Sequence, residues 1–214
     1  MFDVDGTLVD SQHHIHASMA AAFAEAGLEG PTLAEIHAVV GLTLPIAIAR
    51  IRPGLRPESV DRIVHAYKAS FLERRLRDDA PLFPGVREAL DALSARGDLL
   101  LGIATGKGRR GLDAMLAHHD LGRFFVTAQC ADDHPSKPHP AMLLAACAEA
   151  GVAPAEAAMI GDTTFDVEMA VAAGVVPVGV AWGYHATAAL AAAGARWLAP
   201  DLPALARWME DWAG

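Results

Sequence analysis

Met1-Phe-Asp-Val-Asp-Gly-Thr-Leu-Val-Asp10 sets two carboxylates, Asp3 and Asp5, two residues apart at the end of a short apolar segment. Side chains i and i+2 of a strand share one face. Gly6 and Thr7 turn the chain immediately afterwards, so both acids can reach one pocket at a strand end. Adjacent carboxylates repel each other, and such a pair needs a cation or a shared proton. A divalent metal together with a phosphate ester would use both.

Outward from this stretch, helix and strand signals alternate from about residue 84 onward. A helix over 85–96 precedes an apolar strand over 99–105, and a helix over 109–118 precedes a strand over 124–130. Helix 140–150 precedes strand 157–161, and helix 165–173 precedes strand 175–181. The apolar runs read as strands buried on both faces, as parallel strands between helices are. The expected fold is α/β, a Rossmann-like parallel sheet whose sites lie at the carboxyl ends of its strands. Residues 12–78 break the pattern with four helix-like runs, 12–27, 32–40, 45–51 and 57–77, and no convincing strand. They read as an inserted all-helical cap domain. The catalytic core is then discontinuous, 1–11 and 79–214, with hinge strands at 10–12 and 78–84. Ser11 is the expected N-cap of the first cap helix.

Three further stretches carry chemistry. Thr105 ends the apolar run Leu99-Leu-Leu-Gly-Ile-Ala-Thr105, Lys137 lies in Ser136-Lys-Pro-His-Pro140, and Asp162 and Asp166 lie in Ile160-Gly-Asp-Thr-Thr-Phe-Asp166. Together with Asp3-Val-Asp-Gly-Thr-Leu8 they resemble, in order and over nearly the whole chain, the four motifs of the haloacid dehalogenase-like hydrolase superfamily. The helical insert resembles the cap of the subfamily that includes phosphoglycolate phosphatases, β-phosphoglucomutases and short-chain pyrophosphatases. The Gly161–Asp166 segment and Val180-Ala-Trp-Gly-Tyr-His185 are most like the phosphoglycolate phosphatases.

The resemblance implies a Mg²⁺-dependent phosphatase acting on a small phosphorylated metabolite. Asp3 would attack phosphorus and form an aspartyl-phosphate, splitting one hard displacement into two easier ones. Asp5 would protonate the leaving alcohol and then activate water. Mg²⁺ prefers oxygen ligands: Asp3 and Asp162 through their side chains, Asp5 through its backbone carbonyl, and Asp166 through water or as an orienting acid. Thr105 and the amides from Gly106 onward would bind the phosphoryl oxygens at a helix N-terminus, and Lys137 would neutralise nucleophile and phosphoryl group together. Gly41, Leu42 and Thr43, in a loop between cap helices, occupy the usual place for substrate selection, with Arg50 a nearby cationic candidate. Each acid taken singly also has a plain reading as a helix cap or turn residue.

Composition narrows the alternatives. The chain has 214 residues, 53% of them hydrophobic, and a net charge of −9. No run of about 18 uninterrupted apolar residues suggests a membrane span. The N-terminus is acidic where a signal peptide would be basic, so a cytoplasmic protein is expected. The acidic balance argues against nucleic-acid binding. Cys130 and Cys147 lack CxxC spacing and read as buried thiols. Asp10 reads as a turn or hinge residue. His13, His14 and His16 read as solvated or hinge-facing rather than as a metal cluster. His185 is expected at the pocket rim, and Trp197, Trp208 and Trp212 are expected to pack a final helix.

Two other classes compete. Gly106-Lys-Gly-Arg-Arg-Gly111 matches G-x-G-x-x-G after a strand, with Asp132 and Asp133 about 20 residues on, the pattern of a nicotinamide-dinucleotide-binding oxidoreductase. Its bulky Lys, Arg and Arg positions and its place on a later strand weigh against it. A catalytically silent relative should lack one of Asp3, Asp5, Lys137 or Asp162, and none is lacking. Pyrophosphatase and phosphomutase activities share the core residues and stay open. Asp3 stands only about 7 Å of extended chain from Met1, whereas strands run about five or six residues. The expectation is that the natural chain begins upstream, or that this strand is short and its end solvated.

Overall fold

In a computed structural model of the chain, which describes residues 1–77 and 80–213, residues 1–3 are the central line of a parallel sheet. Phe2 bridges Ile103 on one side and Ile160 on the other, both in parallel. Phe2 N donates to Gly102 O at 2.8 Å and Asp3 N to Ile160 O at 2.9 Å. These bridges join strand β1 (Leu101–Ala104) and its neighbour β2 (Phe125–Gln129) to the trio β3 (Ala158–Gly161), β4 (Val176–Val180) and β5 (Trp197–Ala199). All pairs are parallel. The spatial order is therefore β2, β1, residues 1–3, β3, β4, β5.

The central line is short, as expected, but its end is not solvated. Met1 is buried, its α-amino group donates to Ala158 O at 2.7 Å, and burial pushes that amino group down to about 5.

The helices cover both faces because their apolar residues recur at helical spacing. Helix α5 (Val86–Ser94) buries Val86, Ala89, Leu90 and Leu93. It shares one face of the sheet with α6 (Arg109–His118) and α10 (Leu202–Ala213). Helices α7 (Ala141–Ala150) and α8 (Thr164–Ala173) cover the other. Helix α9 (Thr187–Ala193) and strand β5 fall outside the expected elements; β5 is a three-residue edge, too short for a periodic signal. Trp197 lies on β5 and packs the last helix, as expected. It stacks on Trp208 at 5.2 Å between ring centroids, and Trp208 on Trp212 at 5.8 Å.

The inserted helices are α1 (Gln12–Glu25), α2 (Leu33–His37), α3 (Leu44–Ile51) and α4 (Pro57–Arg77). Thr32 caps α2 through a reciprocal box with Glu35. The four helices close around their own apolar cluster, which includes Met19, Phe23, Ile48 and Ile63, and Phe165 of α8 reaches into it from the sheet side. The protein is thus an α/β Rossmann-like core bearing a helical cap. The two connections run side by side: Val9 bridges Leu82 in antiparallel fashion, Phe83 N donates to Leu8 O and Asp10 N to Pro81 O. The paired segment is 8–10 with 81–83, earlier than expected on the first side because Gln12 already belongs to α1. Residues 78 and 79 of the second expected hinge lie outside the described residues.

Candidate active site

The turn that follows residues 1–3 is tight. Thr7 N, Leu8 N and Val9 N all donate to Val4 O, and Gly6 N donates to Val9 O. Gly6 has φ +89, and a Cβ there would lie 2.2 Å from Asp162 Oδ2. Glycine alone meets both the backbone and the steric demand. Gly6→Ala is expected to lose about 1–3 kcal/mol from backbone strain alone. The melting temperature should fall by about 2–4 °C for each kcal/mol. A thermal melt unchanged from wild type would show that the loop relaxes at no cost.

The ends of the central line and of β3, the first turn of α8 and the loop after β2 bring the buried groups together. Asp3, Asp162 and Asp166 place carboxylate oxygens within 4.8 Å of one another, all three nearly solvent-free. Lys137 enters this group fully buried, with Nζ 2.6 Å from Asp166 Oδ1 and 3.0 Å from Asp3 Oδ1. The ammonium donates to Asp166. Its Nζ also forms a buried ion pair with Asp3 Oδ1, while Asp3 Oδ2 has no hydrogen-bond partner among the described residues.

The other two acids are fully engaged. Asp162 Oδ1 accepts from the Thr7 hydroxyl at 3.0 Å and Oδ2 from Tyr184 N at 3.0 Å. Asp166 Oδ2 accepts from Thr163 N and Oγ1 as the capping box of α8. The other Asp166 oxygen, Oδ1, is turned to Lys137 Nζ.

Burial pushes the Asp3 carboxyl up to about 6, with Lys137 pulling it down and Asp166 adding repulsion. Burial and then the neighbouring Asp166 and Asp3 hold Asp162 well above the usual carboxylate range. Burial disfavours the Lys137 charge, but Asp166 and Asp3 outweigh it and hold the ammonium above its ordinary value.

The Asp5 side chain stands outside this acid group. It is gripped by Lys107, whose Nζ lies 2.9 Å from both carboxylate oxygens, and by the Ser11 hydroxyl at 2.7 Å. Ser11 therefore does not cap α1 with its side chain, contrary to expectation: its hydroxyl is turned to donate to the Asp5 carboxylate, and no amide of the first helical turn donates to it. The Asp5 carbonyl oxygen accepts from no described residue.

Lys107 was visible in the sequence only as part of the glycine-rich run. Its signal was the position two residues past Thr105 at a strand end, and its partner lies 102 residues away. Lys107 also sits 4.9 Å over the Phe71 ring of α4, so it links acid, core loop and cap. Trp182 and Tyr184 are further unanticipated supports: Trp182 Nε1 donates to Thr7 O at 3.0 Å, and Tyr184 OH accepts from Ser11 N at 3.2 Å.

Thr105 is buried at the end of β1, and its hydroxyl accepts from Lys107 N at 3.2 Å. The Gly106 amide keeps no protein acceptor among the described residues. Helix α6 begins at Arg109, as expected, and the Arg109 amide is taken by Asp132 Oδ2 at 2.8 Å. The Asp132 carboxylate lies against Gly108, 3.1 Å from where a Cβ would be, and so places a negative charge beside the glycine-rich loop.

A Cβ on Gly106 would lie 2.4 Å from Gly41 O, so the cap loop rests directly on the core loop. Thr43 N donates to Ser136 Oγ at 2.9 Å. Gly41, Leu42 and Thr43 line a cavity of ≈ 720 Å³ between cap and core, together with Asp3, Asp5, Thr105, Gly106 and Lys107. Arg50 is not among the lining residues; it is exposed, with its guanidinium 5.2 Å over the Phe165 ring.

His185 does not line the cavity either. It ties core to cap, accepting at Nδ1 from Thr164 N and pairing at Nε2 with His37 O. His13, His14 and His16 enter no metal-binding group among the described residues. Asp10 accepts from Gln12 Nε2 at the hinge. Cys130 and Cys147 are free, buried thiols.

A parallel sheet with clustered acids at its strand ends, closed by a helical cap, defines a hydrolase of known type. The family model for haloacid dehalogenase-like hydrolases matches residues 1–180, and the chain belongs to that family. It is 38% identical over 198 residues to the Dickeya dadantii protein named Probable phosphatase IndB, covering 90% of this chain and 85% of that one. It is 32% identical over 192 residues to a phosphoglycolate phosphatase of Pseudomonas savastanoi pv. phaseolicola, covering 86% and 70%. Among solved structures, a haloacid dehalogenase-like hydrolase from Streptococcus pneumoniae superposes with a TM-score of 0.84 at 27% identity, over 97% and 96% of the two chains. No described helix is long and apolar enough to cross a membrane.

Proposed function

We propose that the protein is a Mg²⁺-dependent phosphatase that hydrolyses a small phosphate monoester through an aspartyl-phosphate on Asp3. In this reading residues 1–11 and 79–214 are the catalytic core and 12–78 the cap. The observation that carries it is the Asp3 carboxylate, buried at the cavity floor and paired with Lys137 through Oδ1, with Oδ2 left without a donor among the described residues. Buried carboxylates normally recruit hydrogen bonds. An oxygen that lacks one, beside two more acids and a single lysine, fits a site completed by a cation.

Asp3 and Asp162 would hold Mg²⁺ by side-chain oxygens and Asp5 by its carbonyl, with Asp166 beside them. When bound, the ion offsets the negative charge of the acids and of the transferring phosphoryl oxygens. An Asp3 oxygen attacks phosphorus as the ester P–O bond breaks, and Asp5 gives its proton to the departing oxygen. Asp5 then takes a proton from the water that attacks the aspartyl-phosphate, releasing inorganic phosphate and restoring Asp3. Lys137, Thr105 and the Gly106 amide face the phosphoryl oxygens. Ser11 and Lys107 hold the carboxylate form of Asp5, the form that takes the proton from water; Asp5 must carry a proton when the ester binds to give it to the departing oxygen.

The names of the relatives nominate 2-phosphoglycolate as the first substrate to test. Phosphate release should be measured over a panel of monoesters, sugar phosphates and pyrophosphate with and without Mg²⁺. The panel also separates the pyrophosphatase and phosphomutase alternatives. Turnover that survives removal of the metal by a chelator would overturn the reading.

Protons compete with the cation for the same oxygens. With Asp3 pushed up to about 6 from an ordinary 3.8, the metal-free native state holds more protons than the unfolded chain between these values. Its stability therefore falls as pH rises through that window, and Mg²⁺ binding strengthens over the same range. The rise in melting temperature on adding Mg²⁺ is expected to be large at pH 7.5 and small at pH 5.5. An equal rise at both would count against metal binding by this acid group.

A further inference from the structure

The cavity between cap and core is two-sided. Its floor is polar, built from Asp3, Asp5, Thr105, Lys107 and Ser136. Its roof is supplied by the cap and is apolar: Met19, Val40, Leu42, Val64, Tyr67 and Phe71 all line it. Tyr67 and Phe71 stand one helical turn apart on α4 with their rings stacked at 5.7 Å. A volume of ≈ 720 Å³ lies well inside the range of about 300–1,000 Å³ that encloses drug-sized ligands.

Lys107 is paired with Asp5, with its ammonium over the Phe71 ring, and Lys68 and Arg110 line the cavity from exposed positions. A phosphate on the floor would direct the rest of a monoester upward. A carboxylate held among Met19, Val40, Leu42 and Val64 would lose water without a buried cationic partner, which is costly, whereas an apolar group would gain by burial.

We infer that the preferred substrate is the phosphate monoester of an uncharged, predominantly apolar alcohol, with its phosphate on the acidic floor and its organic group under α4. The inference rests on the phosphatase reading above. It separates this chain from the activity that its phosphoglycolate phosphatase relatives are named for.

The test compares kcat/KM, by phosphate release with Mg²⁺, for benzyl phosphate, ethyl phosphate and 2-phosphoglycolate. All three are esters of alkyl alcohols, so no aryl leaving group enters the comparison. Benzyl phosphate is expected to exceed 2-phosphoglycolate by at least about tenfold, chiefly through KM, with ethyl phosphate between them. Val64→Lys, which puts a cation in the roof, is expected to move the benzyl-to-phosphoglycolate ratio about tenfold toward the acid. Equal or preferred hydrolysis of 2-phosphoglycolate by the wild-type enzyme would overturn the inference and leave the phosphatase reading standing. Release from none of the three esters would overturn both.

Discussion

Replacing Asp3 by Asn is expected to reduce phosphate release by at least about 10³-fold, the scale on which loss of a covalent nucleophile acts. An amide cannot supply the attacking oxygen, and no neighbour can take its place. Asp162 and Asp166 are tied by their own hydrogen bonds, and Asp5 faces Lys107 and Ser11. The same substitution is expected to raise the melting temperature of the metal-free protein. Burial holds the Asp3 charge at a cost, with Asp162 and Asp166 adding repulsion, so a neutral amide relieves three like charges facing one lysine. The gain in melting temperature on adding Mg²⁺ should shrink at the same time. Asp3→Asn with wild-type turnover would reject the nucleophile; loss of turnover with an unchanged metal response would separate nucleophile from ligand.

Lys137→Met is expected to be the most destabilising single change in the site. The side chain is fully buried between Asp3 and Asp166, at 3.0 and 2.6 Å. Breaking a buried pair by removing one partner costs about 3–5 kcal/mol, because the remaining charge stays buried and uncompensated. Here three acids would be left. The loss should be smaller at pH 5, where raised carboxyl values let Asp3 and Asp162 take up protons, and smaller in Mg²⁺. Denaturant unfolding checks it: Lys137→Met combined with Asp166→Asn should be less destabilised than the sum of the two single changes. A loss below about 1 kcal/mol would mean that the pair is solvated and that Lys137 does not hold the acids together. Turnover should fall by about 10²–10³-fold, as when one preorganised charge partner is removed.

Much of this site could be read from the chain because each of its main residues follows a strand. A run such as Leu99-Leu-Leu-Gly-Ile-Ala-Thr105 is recognised by its own apolar continuity, and Asp3, Thr105 and Asp162 inherit their place from it. The side-chain partners were another matter. Ser11 precedes a helix and looks like its cap, but its hydroxyl goes to Asp5. Arg50 looks like a substrate cation, yet it lies over Phe165, because a side chain's direction depends on which face of α3 meets the neighbouring element. Asp132 looked like a ribose ligand and is the cap of α6. In each case a polar atom had several acceptors or donors within reach, and local spacing could not choose among them.

The apolar roof was likewise hidden. Met19, Val64 and Phe71 lie on cap helices and Val40 in the turn after α2, and all four also belong to, or pack against, the cap's own apolar cluster. Which of them look onto the floor depends on how the cap is set against the core, through contacts such as Gly41 O against Gly106.

The sequence by itself determined the order of strands and helices up to β4, the presence of a helical cap, and the places of Asp3 and Asp162 at the ends of apolar runs. Those features follow from periodicity and turn chemistry, which act over a few residues. Only the tertiary structure decided that Asp3 pairs with Lys137 and keeps one oxygen without a donor, that Lys107 holds Asp5, and that an apolar roof faces an acidic floor. Those outcomes belong to residues that meet across the fold, as Asp5 and Lys107 do over 102 positions and Thr7 and Asp162 over 155. At such separations packing, not local pattern, selects the partner.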